Sequence, residues 1–146
     1  MLAATRKLDL VFKRLAHVCI GAVDLDAAEN FYVDILGMEL AFEFYRAGQR
    51  IGFYVKAGET TFLEVFTTSE AARNGNALIK HFCLEVEDLD AVISRLSGRG
   101  VEASAKKLGA DNAWQAWVTD PSGIRIELMQ YGDSSAQFTG RAVILD

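Results

Sequence analysis

Cysteine, histidine and long apolar runs are all scarce in this sequence. The two cysteines lie in apolar, strand-like runs, which excludes the disulfide framework of a small secreted domain and predicts reduced, buried thiols. No apolar run approaches the roughly 20 residues that span a bilayer. Arg6, Lys7 and Lys13 interrupt the first apolar residues, so the core of a signal peptide is missing and a cytoplasmic location is expected.

An excess of positive charge is also absent. The 15 basic and 20 acidic residues give a net charge of −5, which argues against nucleic-acid binding because that needs a basic face. The sequence has no glycine-rich phosphate loop and no serine nucleophile elbow. A small molecule, and neither a nucleic acid nor a membrane, is therefore the expected partner.

What the chain does contain is the same unit twice, with both histidines at the same place in it. Residues 17–20 (HVCI) lead into residues 24–27 (DLDA), and 64 residues later residues 81–84 (HFCL) lead into residues 88–91 (DLDA). Internal repetition of this kind reports architecture. The 146 residues are the length of one ordinary domain, so we expect one domain made of two modules.

Each copy is predicted to have the order β-α-β-β-β. Helical spacing of apolar residues follows Asp24 or Asp26, either of which can cap the helix, and Gly37 can end it. Alternating and apolar runs separated by turn residues predict the strands. The predicted strands are 15–22, 38–46, 50–56 and 61–66 in the first copy and 79–86, 101–107, 113–119 and 124–130 in the second, whose helix covers 89–97.

The chain divides accordingly into five segments. They are an N-terminal extension (1–14), a first module (15–66), a polar linker (67–78), a second module (79–130) and a C-terminal tail (131–146). Neither module alone has enough sheet to cover both of its faces, so the two modules are expected to pair.

The repeat also pairs ionisable side chains, one His and one strand Glu in each copy. His17 precedes Glu64 by 47 residues, and His81 precedes Glu127 by 46. A single strand Glu usually faces solvent, and a single strand His is usually an ordinary core or surface residue. The matched positions of all four favour a metal site, because two imidazoles and two carboxylates suit Zn, Ni, Co, Mn or Fe.

These features resemble the vicinal oxygen chelate superfamily. Its members include glyoxalase I, bleomycin and fosfomycin resistance proteins, ring-cleaving dioxygenases and methylmalonyl-CoA epimerase. The resemblance covers about residues 14–130 and rests on the paired units and three motifs. These motifs are His17 before residues 24–32 (DLDAAENFY) and 36–37 (LG), His81 before residues 86–88 (VED), and residues 120–128 (DPSGIRIEL).

The resemblance implies an α+β fold in which two β-α-β-β-β modules form a curved mixed sheet around a metal cleft. His17, Glu64, His81 and Glu127 match the four ligand positions of the glyoxalase I pattern. It also implies a homodimer. In the glyoxalase I arrangement, His17 and Glu64 of one chain would meet His81 and Glu127 of the other.

Two positions depart from that pattern. Glyoxalase I usually has an Arg four residues after its first His and an Asn four residues after its first Glu, and both help to hold glutathione. Gly21 and Thr68 stand at those places here. We therefore expect another thiol or another substrate.

The function expected from these residues is that of a glyoxalase I-like (lactoylglutathione lyase-type) lyase or isomerase. A divalent ion would act as Lewis acid on two vicinal oxygens of the substrate, while Glu127 or Glu64 moves a proton. An Fe(II) ring-cleaving dioxygenase or an epimerase on the same scaffold is one alternative. A bleomycin-resistance-type protein that sequesters an aromatic or cationic compound is the other.

Overall fold

The computed structural model describes residues 14–69, 79, 81–143 and 145, in which the chain forms two four-stranded mixed sheets and few helices. Nearly all of the extension and most of the linker lie outside these residues. The first sheet contains β1 (His17–Ala22), β2 (Glu39–Arg46), β3 (Gln49–Lys56) and β4 (Phe62–Thr67). The second contains β5 (Phe82–Glu85), β6 (Lys107–Leu108), β7 (Trp114–Thr119) and β8 (Arg125–Gln130).

Both sheets have the same strand order, as the sequence repeat predicts. The orders are β1-β4-β3-β2 and β5-β8-β7-β6. The first and last strands of each module are parallel neighbours, and the other pairs are antiparallel. A parallel pair needs a long crossover, which the helix of each module begins. The two β-α-β-β-β modules therefore share one topology.

Aspartates cap the two main helices. Helix α1 (Leu25–Glu29) continues into a π-helical turn (Asn30–Ile35), and its cap is Asp24, whose side chain accepts from the Ala27 amide at 2.9 Å. Asp88 caps α2 (Leu89–Gly98) in the same way. The third helix is the short α3 (Ala136–Thr139). No helix within the described ranges is both long and apolar enough to cross a membrane.

The strand predicted at 101–107 is largely wrong, because regular pairing is confined to the two residues of β6. The Ser104 hydroxyl accepts a hydrogen bond from the Trp117 amide at 2.8 Å, and the Ser104 amide donates one to the Trp117 carbonyl at 2.8 Å. A side-chain oxygen thus replaces the backbone acceptor that a regular ladder needs. The segment runs beside β7 without forming a strand.

The two modules bury one shared core between them. In this core, residues from the helices of both modules pack against alternate residues of β1, β3, β4, β7 and β8. Its largest members, all fully buried, are Tyr32, Phe53, Val55, Val65, Leu89, Leu96, Ile126 and Leu128. One face of each sheet is therefore committed to the core.

A buried hydrogen-bond network ties the first helix to the β7–β8 turn. The Tyr32 hydroxyl donates to Asp120 Oδ2 at 2.9 Å, while Asp120 Oδ1 accepts from the amides of Ser122 and Ile124. The Ser122 hydroxyl in turn accepts from the Val23 amide at 3.0 Å. Burial and the nearby carboxylate raise the pKa of Tyr32 well above its usual range, so the hydroxyl remains a donor.

Replacing Tyr32 with Phe removes this donor without changing the shape of the ring. We expect Tyr32→Phe to lower the free energy of unfolding by about 1.5–3 kcal/mol, the range for a hydrogen bond to a charged group. Urea denaturation followed by circular dichroism measures the change. Tyr45→Phe is the control, because the exposed Tyr45 hydroxyl bonds Glu43 at the surface. Equal losses in both variants would contradict a specific role for the buried network.

Candidate functional site

The four residues predicted as metal ligands lie on, or immediately beside, the sheet faces that point away from the core. In β1, His17 and Cys19 are exposed, whereas Ile20 is buried. In β4, Glu64 lies between the buried residues Leu63 and Val65, so its side chain points to the opposite face. We call this side of each sheet its open face.

In the second module the structure brings the predicted His and Glu into direct contact. His81 Nε2 lies 3.2 Å from Glu127 Oε2. Glu127 is 8% exposed, although its β8 position would face solvent in a half-exposed sheet. The Trp117 ring meets the His81 ring edge-on at 4.8 Å, and the Arg125 guanidinium lies 4.2 Å above the Trp117 ring. Trp117 therefore restricts the orientation of the His81 imidazole.

The first module repeats the register of these residues, with Glu64 beside Cys19. Cys19 is opposite Glu64 in the β1–β4 pair, just as Cys83 is opposite Glu127 in the β5–β8 pair. In each module the histidine lies two residues before the cysteine. The His17 ring packs edge-on against Tyr54 at 5.7 Å, in the role that Trp117 has in the second module.

The structure does not gather all four predicted ligands in one chain. Across the part of the chain that the structure describes, no three His, Cys, Asp or Glu side chains converge as a metal site would require. The four residues are instead divided between the two sheets, with one His and one Glu on each and a direct contact between His81 and Glu127. We call each pair a half-site.

The better defined half-site has the spacing that a shared metal ion requires. Two ligand atoms with bonds of about 2.1 Å, at angles of roughly 90–110°, are about 3.0–3.4 Å apart. The 3.2 Å between His81 Nε2 and Glu127 Oε2 falls in that interval. One imidazole and one carboxylate per half-site therefore fit a divalent ion of the kind predicted from the sequence.

The prediction that both cysteines are buried is wrong. Cys19 and Cys83 are free and exposed on the open faces. Partial burial and then the Glu127 carboxylate raise the pKa of Cys83 to about 11. Burial, followed by the neighbouring Glu64, also raises the pKa of Cys19. Both thiols are therefore protonated at neutral pH, which disfavours them as metal ligands.

A group of aromatic rings, which the sequence alone did not predict, lies beside the first half-site. Five rings from three strands form a continuous surface, which we call the aromatic face. The sequence does contain a signal for this group, because two of the phenylalanines lie two residues before and two residues after Glu64 and therefore share its strand face. The aromatic face consists of Phe42, Phe44, Tyr54, Phe62 and Phe66.

The two positions that depart from the glyoxalase I pattern contact each other. A Cβ atom added at Gly21 would lie 2.8 Å from Thr68 Cγ2, which is closer than such atoms approach in proteins. Thr68 thus occupies the space that a side chain at position 21 would need. The two departures from the glyoxalase I pattern, at positions 21 and 68, therefore form one structural feature.

A groove of about 500 Å³ also opens between the two modules, on the side of the helices. Its apolar lining includes Leu36, Met38, Leu84, Val86 and Val92. None of the four predicted ligands lines this groove. It is therefore separate from both half-sites.

Comparisons with known proteins agree with the fold. The model of the glyoxalase/bleomycin resistance protein/dioxygenase superfamily matches residues 14–128. A Synechocystis protein named "Probable lactoylglutathione lyase" is 32% identical over 124 residues, covering 80% of this chain and 94% of its own. The Escherichia coli protein YaeR is 26% identical, covering 83% and 98%. A glyoxalase family protein from Enterococcus faecalis superposes with a TM-score of 0.69 at 27% identity, covering 82% and 99%.

Elemental mass spectrometry of tag-free protein tests the four predicted ligands. We expect about one divalent ion per chain, because a symmetric pair of chains would form two equivalent sites. The double variant His81→Ala/Glu127→Ala should lose it. Glu102→Gln, which changes an exposed carboxylate of the same module, should retain it. Equal metal content in all three proteins, or none after reconstitution, would rule out the site.

Proposed function

Because the chain belongs to the glyoxalase/bleomycin resistance protein/dioxygenase superfamily, we propose that it is a metal-dependent lyase or isomerase of the lactoylglutathione lyase type. The observation that carries the proposal is the repeated half-site, in which a His and a Glu occupy the same register on both sheets. The Synechocystis relative named for this activity supports the reaction class.

We further propose that two chains associate so that each site is composite. His17 and Glu64 of one copy would face His81 and Glu127 of the other. The two half-sites of one chain lie on different sheets, and His17 and His81 are both exposed in the isolated chain. Exposed apolar patches mark interaction surfaces, and symmetric dimers are the commonest assembly of identical chains.

The proposed chemistry is transfer of a proton between adjacent carbons. A divalent ion held by His17, Glu64, His81 and Glu127 would supply Lewis acidity toward two neighbouring oxygens of the substrate. Glu127 would accept the proton from the first carbon and return it to the second. The hydroxyl proton of the first carbon would move to the oxygen of the second, so the substrate gains and loses no atoms while the first carbon is oxidised and the second is reduced.

Glu127 is our choice for the proton carrier, with Glu64 as its counterpart from the other copy. Glu127 is nearly buried yet lies on the open face, where its carboxylate meets His81. A carboxylate that moves a proton must lie within hydrogen-bonding reach of the reacting carbon and be shielded from bulk water. The Trp117 ring beside His81 contributes to that shielding.

The substrate is proposed to differ from the glutathione adduct of methylglyoxal. A side chain at position 21 would require Thr68 to move, and Thr68 replaces the Asn of the pattern. Two glutathione contacts are thus missing together. A smaller thiol, or a substrate without a thiol, fits the site better.

A binding protein of the bleomycin-resistance type is the second candidate. The aromatic face favours it, because a ligand can be sequestered on exposed rings without any reaction. Detectable turnover of any substrate would exclude it.

Replacing Glu127 with Gln tests the proton transfer. We expect turnover of hemithioacetals, made from several thiols, to fall by about 10²- to 10⁴-fold, the usual contribution of a general acid–base. Glu64→Gln should also reduce turnover, while the exposed Glu102→Gln should not. Metal content measured beside activity shows whether the variants retain the ion. Unchanged turnover in Glu127→Gln would exclude this role, and oxygen consumption with catechols would instead favour the dioxygenase.

Mixing two inactive variants tests the composite site. His17→Ala and His81→Ala each remove a ligand from every site, so each variant alone should be inactive. A mixed dimer would hold one intact site and one site lacking both histidines. Unfolding and refolding equal amounts together should therefore restore about a quarter of the wild-type activity, since half of the dimers are mixed. A site formed within one chain would restore none.

A further inference from the structure

The groove between the two modules has an apolar floor that is only partly buried. Leu36 and Met38 of the first module and Leu84, Val86 and Val92 of the second line this groove and pack against the core. Each of the five keeps part of its surface exposed. Side chains that continue a core are normally packed on every side, and a contiguous exposed apolar surface marks an interaction site. The groove of about 500 Å³ is therefore suited to a covering group.

The rim of the groove is acidic. Its lining residues include Glu39, Glu59 and Glu85 and one basic residue, Lys56, whose ammonium pairs with Glu39 at 3.0 Å. Within the described ranges, no basic side chain forms a salt bridge with Glu59 or Glu85. Opposite charges placed face to face steer partners and fix their register. The group that covers the floor is therefore expected to combine apolar side chains with positive charge.

The described part of the chain begins beside this rim. Arg14 is its first residue, and Arg14 Nε donates to the Thr60 carbonyl at 2.8 Å. Thr60 belongs to the β3–β4 turn, in which Ala57, Gly58 and Glu59 line the groove. The residues before Arg14 are therefore attached at the edge of the groove, and this attachment gives them a high effective concentration over it.

Residues 1–13, which precede Arg14, have a composition that matches the groove. They contain three basic side chains and one acidic side chain, the reverse of the balance in the lining. Leu8, Leu10 and Phe12 recur at every second position, so an extended segment presents them on one face. Phe12 is only two residues from Arg14, which is at most about 7 Å of chain. Apolar side chains can therefore reach the floor while the basic ones face the rim.

We propose that residues 1–13 dock into the groove of their own chain, with their alternate apolar side chains on the floor and their basic side chains toward the acidic rim. The segment would contact both modules, because the floor takes side chains from each. The C-terminal tail does not provide this cover, since Val143 and Leu145 are exposed. The proposal is independent of the metal site, because none of the four predicted ligands lines the groove.

Limited proteolysis of the full chain with trypsin tests the docking. Cleavage after Arg6 and Lys7 should be at least about 10-fold slower than in a free peptide of residues 1–14, because the protease needs the undocked form. Leu10→Asp places a charge on the apolar floor and should bring the rate to that of its own peptide. Val11→Asp, the matched control on the other face, should keep the protection. Wild-type cleavage as fast as in the peptide would overturn the proposal, as would protection that survives Leu10→Asp.

Carbodiimide cross-linking, which joins an amine to a carboxylate in direct contact, tests where the segment lies. The lysines of the segment should be joined to Glu59 or Glu85, and this product should be absent from Leu10→Asp. Glu102, an exposed carboxylate of the second module that does not line the groove, is the reference and should remain unlinked. Equal linkage to Glu102 would show random collisions and overturn the docking.

Refolding normal and isotope-labelled chains together before cross-linking distinguishes docking on the same chain from exchange with a second copy. Docking on the same chain gives cross-linked peptide pairs with a single isotope. Pairs that combine both isotopes would overturn the proposal and assign the groove to the segment of another copy. A groove that receives an external cationic partner would instead give neither protection nor cross-links, and this result would also overturn the proposal.

The docked segment should also stabilise the fold. Leu10→Asp should raise the unfolding equilibrium constant about 10- to 100-fold, the loss expected when one buried leucine becomes exposed, whereas Val11→Asp should change it less than about 2-fold. Urea denaturation followed by circular dichroism measures both constants. Equal effects of the two substitutions would contradict the docking of one face of the segment.

Discussion

Burial of one face of each sheet beneath the helices, in one continuous core, is the constraint on which the rest of the structure depends. The shared core takes alternate residues of the strands and the apolar sides of both main helices. The Tyr32–Asp120 hydrogen bond fixes how the first helix sits on the β7–β8 turn. Since these contacts use one face of each sheet, ionisable and reactive side chains collect on the other. The two half-sites therefore lie on the sheet faces that the core does not use.

The sequence predicts the parts of this architecture that depend on local chemistry. The repeat, the aspartate caps and the alternation of residues predict the module order and put each His on the same strand face as a Cys. The predicted strand at 101–107 failed because the Ser104 hydroxyl replaces a backbone acceptor, which no periodicity reveals. The cysteines were expected to be buried because the alternation of residues identifies the two faces of a strand without showing which face the core covers.

Matched sequence positions also could not show how the half-sites combine. The repeat predicts equal registers for His17–Glu64 and His81–Glu127, and the β1–β4 and β5–β8 pairs have them. The relative orientation of the sheets depends on helix and turn contacts between modules, such as those of Arg95 with the Ile35 carbonyl and of Ser122 with Val23. These contacts are not periodic. The relative placement of the two half-sites therefore depends on contacts that the repeat does not encode.

The contact between Gly21 and Thr68 has a consequence for how this chain can change over evolutionary time. Because a side chain at position 21 would strike Thr68 Cγ2, the effect of a substitution at one position depends on the residue at the other. This is epistasis with a steric origin. A residue larger than Gly at position 21 therefore requires Thr68 to move or to be replaced. The residues at positions 21 and 68 are therefore expected to change together among relatives, not one at a time.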